Sequence, residues 1–98
     1  MDIADAGLER FLVEWYGPRA SARCTSETAG RLNEGAASTL ARGTRIRLLM
    51  ALAVPADDYA FGIFAAESAE TVAQLCTDAG APPERISSAV TWPCTADY

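Results

Sequence analysis

The stretch that decides the fold runs from residue 59 to residue 90, YAFGIFAAESAETVAQLCTDAGAPPERISSAV. Its first eight residues are aromatic, aliphatic or small, which predicts a β-strand. Ser68 can then cap a helix that ends at Gly80. Apolar residues recur along this helix at helical spacing: Val72, Leu75, Cys76 and Ala79. Two prolines prevent the helix from continuing, and residues 85–92 alternate as a half-buried strand.

The preceding half of the chain has the same pattern. Residues 10–16 (RFLVEWY) predict a strand that ends at Gly17-Pro18. A helix capped at Thr25 or Ser26 follows and stops at Gly43. Residues 44–54 form the next strand, and Pro55-Ala56-Asp57-Asp58 is its turn. The order β-α-β-β-α-β predicts an α+β, ferredoxin-like sandwich, a four-stranded antiparallel sheet in the order 4-1-3-2 with two helices on one face.

Length and charge narrow the classes of function. Ninety-eight residues make one domain, which we place at 10–94 between an N-terminal arm (1–9) and a tail (95–98). Eight basic residues, all Arg, against 13 acidic ones give a net charge of −5, which argues against nucleic acid as a partner. Neither a membrane span nor a basic signal peptide is present in the sequence, so we expect a cytoplasmic protein. There is no His, so no metal site and no cofactor are predicted.

Three cysteines, Cys24, Cys76 and Cys94, form no C-x-x-C pair. Cys76 lies on the apolar side of its helix and is expected in the core. Cys24 precedes the predicted start of the first helix, where a thiolate would be favoured, but an ordinary surface or loop position explains it better because no resolving Cys or activating base lies nearby in the sequence. The sequence assigns no role to Cys94.

Alternation along the strands predicts two faces of the sheet. We expect an almost wholly apolar set beneath the helices: Phe11, Val13, Trp15, Ile46, Leu48, Met50, Phe61, Ile63, Ile86 and Val90. The opposite set mixes apolar and charged residues: Leu12, Glu14, Tyr16, Arg45, Arg47, Leu49, Ala51, Ala60, Gly62, Phe64, Ser87, Ala89 and Thr91.

The second set would leave a large apolar patch uncovered, which demands a partner. A second copy that packs its own sheet against this face would satisfy it, and would form a homodimeric α+β barrel. A monomer with its tail folded over the face is the alternative.

A candidate site lies on this uncovered face. Between Glu14 and Arg47 the third strand would present only small residues, which leaves a hollow floored by Gly62 and walled by Tyr16 and Phe64. A hollow with aromatic walls and a few convergent polar groups is typical of a small-ligand site. Glu14 and Arg47 would orient the ligand; alternatively they form an ion pair between two copies.

Three functions follow from this interpretation. The first is a cytoplasmic binding protein that holds a small molecule, or less readily a metal ion, on the uncovered face. The second is a cofactor-free enzyme of cyclase, isomerase or monooxygenase type with Glu14 as general base. The third is a structural dimerisation module.

Two segments also carry a resemblance to a known family: FLVEWYGP (11–18) and residues 59–90. They resemble a family of small bacterial ferredoxin-like proteins of unknown function that includes nickel-binding proteins of actinobacteria. The resemblance covers about four-fifths of the chain and implies a ferredoxin-like fold and a dimer. Members that bind nickel supply His ligands, so the absence of His from this chain makes nickel doubtful as its cofactor.

Overall fold

The computed structural model describes residues 7–17 and 22–90, without the side chains of residues 22–25. The elements follow the predicted order: β1 (Glu9–Tyr16), α1 (Ala22–Ala41), β2 (Ile46–Val54), β3 (Tyr59–Ala66), α2 (Ala69–Asp78) and β4 (Arg85–Ala89). Most of the predicted arm, the predicted tail, and Thr91, Trp92 and Cys94 lie outside the described residues.

The four strands form one antiparallel sheet in the spatial order β2-β3-β1-β4. This is the order predicted from the succession of elements. The two central strands, β1 and β3, come from different halves of the chain, and their hydrogen bonds join the two halves in one sheet. The architecture is α+β and is consistent with a ferredoxin-like sandwich.

Both helices cover the same face of the sheet. Leu32 and Ala36 of α1 belong to one buried cluster with Val72, Leu75 and Cys76 of α2. The sheet contributes Phe11, Val13, Trp15, Ile46, Ala60, Phe64 and Ala66 to that cluster. Burial of these side chains is the main favourable term for folding, because it removes apolar surface from water. We call this side of the sheet the covered face and the other side the open face.

The two helices differ in how well the sequence predicts their starts. Ser68 caps α2 as expected, since its hydroxyl accepts a hydrogen bond from the Thr71 N–H at 3.2 Å. The α1 helix instead begins at Ala22, so Thr25 and Ser26 lie inside it rather than at its cap. The cap prediction was wrong because nothing between Pro18 and Thr25 forbids helical backbone.

Residues with a positive φ angle end α2 and complete the turn between β2 and β3. Gly80 has a φ of +81°, the left-handed conformation that ends many helices. A short 3₁₀ turn over Pro55–Asp57 joins β2 to β3, and Asp58 completes it with a φ of 47°. The predicted turn at these residues is therefore confirmed.

Gly35 of α1 lies in close contact with α2. A Cβ atom at this position would lie 2.5 Å from Cδ1 of Leu75, which is itself buried. The sequence showed Gly35 only as a residue that weakens the helix. The packing supplies its reason, because the absent side chain lets the two helices meet.

Candidate functional site

Strand register determines which side chains share the open face, because residues paired directly across two strands point the same way. Glu14 pairs with Phe61 and with Arg85, and Phe61 pairs in turn with Leu52. The same argument along the strands gives the members of the open face: Arg10, Leu12, Glu14, Tyr16, Arg47, Met50, Leu52, Val54, Tyr59, Phe61, Ile63, Ala65, Arg85, Ser87 and Ala89.

The face prediction for β1 is confirmed. Phe11, Val13 and Trp15 are buried on the covered face, while Glu14 and Tyr16 lie on the open face as expected. The prediction depends on Glu14, because a charged side chain between apolar neighbours indicates which face of the strand points away from the core.

The face prediction for β3 was wrong. Phe64 is completely buried in the core, and Gly62 pairs with Val13 on the covered face. A Cβ at Gly62 would lie 3.4 Å from ring atoms of both Phe64 and Trp15. The small residues of β3 make room for these rings beneath the helices, so Gly62 and Phe64 do not wall a hollow on the open face.

A β-bulge changes the faces midway along β2. The register with β3 shifts between Leu48 and Met50, so one extra residue is accommodated there. Met50 consequently lies on the open face, and Ala51 lies on the covered face, the reverse of the prediction for both. The apolar run of this strand contains no signal that would mark the bulge.

Glu14 and Arg47 share the open face but not a site. Arg47 pairs with Ala65, which pairs with Arg10, four residues before Glu14 on β1. Four residues of strand span about 13 Å, and two strand spacings add about 10 Å across the sheet. The hollow predicted between these two side chains is therefore not formed.

Glu14 instead joins a different group of side chains. The Tyr59 hydroxyl donates a hydrogen bond to Glu14 Oε1 at 2.9 Å, and Arg85 Nε lies 3.6 Å from Oε2. The ring of Tyr59 stacks on that of Tyr16 with centroids 5.7 Å apart, and its centroid lies 5.9 Å from that of Phe61. We call these five residues the Glu14 cluster.

Burial differs sharply within the Glu14 cluster. The Glu14 side chain is 13% exposed, whereas that of Arg85 is 67% exposed. A carboxylate so shielded from water needs partners, and Tyr59 and Arg85 provide one for each oxygen. The guanidinium of Arg85 remains largely available to solvent on its other side.

Tyr59 is held in its neutral form. Partial burial raises the pKa of its phenol above the ordinary value, and the hydrogen bond to the Glu14 carboxylate and its negative charge raise the pKa further. The neutral phenol is the form that donates to Glu14, so the cluster keeps this hydrogen bond over the physiological pH range.

The start of β4 is positioned by β1. The Glu84 N–H donates to the Glu14 carbonyl oxygen at 3.0 Å, and the Glu84 carboxylate accepts a hydrogen bond from the Tyr16 N–H. These two contacts bring Arg85 opposite Glu14. They are the reason that a residue 71 positions further along the chain completes the cluster.

Sequence reasoning placed two members of the Glu14 cluster, Glu14 and Tyr16, and missed Tyr59, Phe61 and Arg85. Arg85 was visible as the first charged residue of the last strand, which pairs with β1 in the predicted strand order. Phe61 was assigned to the wrong side of β3, and Tyr59 was assigned to neither side.

Cys76 has no part in the Glu14 cluster. Its side chain is completely buried on α2, as expected, and burial raises the pKa of its thiol to about 12. A thiol of this kind is unreactive. The Cys24 side chain and Cys94 lie outside the described residues.

Over residues 7–17 and 22–90, no helix is both long and apolar enough to cross a membrane. The side chains described in these ranges also contain no group of three or more His, Cys, Asp or Glu placed to hold a metal ion. Comparison of the chain with protein-family models, with curated proteins and with solved structures gave no significant match. The family resemblance of the sequence therefore stays a prediction.

Proposed function

We propose that the protein binds a small molecule on the open face at the Glu14 cluster, and that a second copy covers that face. The observation that carries this proposal is a shielded carboxylate, Glu14, with a tyrosine hydroxyl, an arginine and aromatic rings arranged around it on the sheet surface. Polar groups that converge within an apolar, aromatic surface are typical of ligand sites.

The chemistry of the Glu14 cluster indicates the class of ligand. Tyr16, Tyr59 and Phe61 provide a broad aromatic surface on which a flat ring can stack. Arg85 contacts Glu14 through its Nε side and is otherwise exposed, so its remaining N–H groups can donate to an anion. A flat aromatic molecule with a carboxylate or a similar anionic group fits both features.

Exposed apolar side chains support a second copy as the cover. Met50 and Leu52 are each 50% exposed on the open side of the edge strand β2, Val54 is exposed further along the same strand, and Tyr16 is exposed on β1. Three strands of eight or nine residues and one of five residues present a face on the order of 500 Å². Two such faces would bury on the order of 1,000 Å², which reaches the lower limit of a specific interface.

Catalysis by Glu14 as a general base is less well supported. A base needs a free oxygen within hydrogen-bond reach of the proton that it removes. Tyr59 occupies one oxygen of Glu14 and Arg85 faces the other. This arrangement supports a role for Glu14 in orienting Arg85 rather than in abstracting a proton.

Titration with 8-anilinonaphthalene-1-sulfonate, an aromatic sulfonate with a flat naphthalene ring, tests the site. We expect Arg85→Gln to weaken the affinity about tenfold, because a charge-assisted hydrogen bond contributes about 1.5 kcal/mol or more. Arg42→Gln, at the exposed end of α1, is the matched control and should leave the affinity unchanged. Equal affinities in all three proteins, or no binding to the wild type, would refute the proposed site.

Native mass spectrometry and light scattering test the second copy. Leu52→Asp should give a monomer, because it places a charge within the interface. Leu40→Asp alters an equally exposed leucine on α1, 55% exposed, and should leave a dimer. A monomeric wild-type protein at tens of micromolar would contradict the pairing of two copies. The mass spectrum of protein purified from its own host would also report any organic molecule that the protein retains.

A further inference from the structure

The space between α1 and the sheet is not completely filled. A cavity of about 190 Å³ lies there, next to the end of α2. Apolar side chains form most of its wall: Trp15, Ala29, Leu32, Ala51, Ala60 and Ala81. We call it the Trp15 cavity. It lies on the covered face, across the sheet from the Glu14 cluster.

Small residues are the reason that this cavity exists. Ala51 and Ala60 occupy adjacent strands on the covered face, and Ala29 lies above them on α1. The bulge in β2 turns Ala51 to this side, where the alternation of the sequence would have placed Met50. A larger residue at any of these three positions would fill the space.

Trp15 gives the cavity an apolar aromatic wall. Its indole N–H donates to the Ala81 carbonyl oxygen at 2.9 Å. The indole N–H is therefore already hydrogen-bonded, and the rest of the ring is an apolar surface. A mostly apolar cavity of this size accepts apolar molecules.

The rim of the Trp15 cavity is polar and carries both signs of charge. Glu27 and Arg31 of α1 border it, and both are exposed. Arg31 is held in place, since its Nε donates to the Ala79 carbonyl at 2.9 Å and its Nη2 to the Thr28 hydroxyl at 3.2 Å. Opposite charges at the rim favour a neutral molecule over an ion.

We propose that the Trp15 cavity binds a neutral apolar molecule about the size of one substituted aromatic ring. An apolar cavity of about 150 Å³ accommodates benzene, and this cavity is somewhat larger. The ring would pack between Trp15 and Leu32, and a small polar substituent would meet the Thr28–Arg31 pair at the rim. This site is independent of the function proposed for the open face.

Fluorobenzene observed by ¹⁹F NMR is the probe. The wild-type protein should bind it, with a shift of the Trp15 indole N–H signal, which Trp92→Phe distinguishes from that of the second tryptophan. Ala29→Leu should weaken binding at least tenfold because leucine fills the cavity. Ala37→Leu, the same change at an exposed position of the same helix, should leave the affinity unchanged.

Two outcomes would overturn the proposal. One is that the wild type does not bind fluorobenzene, and the other is that Ala29→Leu binds it as well as Ala37→Leu does. Ala51→Val fills the same space from β2 and gives a second test if Ala29→Leu folds poorly. Arg85→Gln should not alter fluorobenzene binding; if it abolished that binding, the molecule would be on the open face and the proposed cavity site would be wrong.

Discussion

Gly62 offers the sharpest test of which side of β3 faces the helices, and Gly62→Leu is the substitution that makes it. On the covered face, a Cβ at this position would already lie 3.4 Å from ring atoms of Trp15 and Phe64. Leucine adds three further carbon atoms beyond that Cβ. They would have to enter space that the two rings occupy.

The magnitude follows from the cost of overpacking a core. Extra methylene groups in a packed interior cost about 1–3 kcal/mol, and both rings here are buried, so we expect about 2 kcal/mol. In a domain of this size 1 kcal/mol shifts the midpoint of thermal unfolding by about 4–8 °C. Gly62→Leu should therefore lower that midpoint by about 10 °C.

Gly30→Leu is the matched control. Gly30 is exposed on α1, and a Cβ there would meet no atom within 4 Å. Leucine favours helix over glycine by about 0.8 kcal/mol, so this variant should be more stable than the wild type. Thermal and urea unfolding followed by circular dichroism measures both changes.

The result that would refute this reasoning is a Gly62→Leu protein as stable as the wild type. Leucine would then be accommodated at the surface, and Gly62 would belong to the open face. The positions of Tyr59 and Phe61 in the Glu14 cluster would be wrong by the same argument, because successive residues of a strand lie on opposite faces.

Three further predictions concern single contacts. With the other two cysteines replaced by serine, Cys76 should react with a thiol reagent only on unfolding, and rapid labelling of the folded protein at pH 8 would contradict this. Because burial raises the pKa of its thiol from 9.0 to about 12, the contribution of Cys76 to the free energy of unfolding should be lost as the pH rises from about 9 to about 12. Ser68→Ala should cost about 1 kcal/mol in chemical unfolding because α2 loses its cap, and an unchanged midpoint would show that the Thr71 contact contributes nothing. Gly35→Ala should destabilise the protein despite the helix propensity of alanine, since its Cβ meets Leu75, whereas a gain in thermal stability would mean that the helices are further apart.

Much of the fold was predictable because its signals are local. The cap at Ser68, the glycine that ends α2, the prolines before β4 and the turn after β2 each act over a few residues. Together with strand composition they give the order of elements, and the handedness rule then gives the order of strands. The start of α1 was missed because nothing in the sequence between Pro18 and Thr25 forbids helical backbone.

The candidate site was predictable only in part. Glu14 interrupts an apolar strand, so its side of β1 follows from the cost of burying a charge. Arg85 could be placed near β1, but the contacts of Glu84 that set its register involve backbone atoms. Arg47 was misplaced as a partner of Glu14 because the distance along the sheet depends on register, which the sequence does not contain.

The sequence by itself determined the class of the domain, the succession of its strands and helices, and the orientation of the one strand that carries a charge at its centre. Only the tertiary structure decided which side of β3 enters the core, where β2 is interrupted by a bulge, and which residues surround Glu14. The physical reason is that β3 contains only aromatic, aliphatic or small residues and no charge, so neither orientation is penalised by its own composition. The choice depends on which set fits against Trp15 and the two helices, and that fit exists only once the layers have packed.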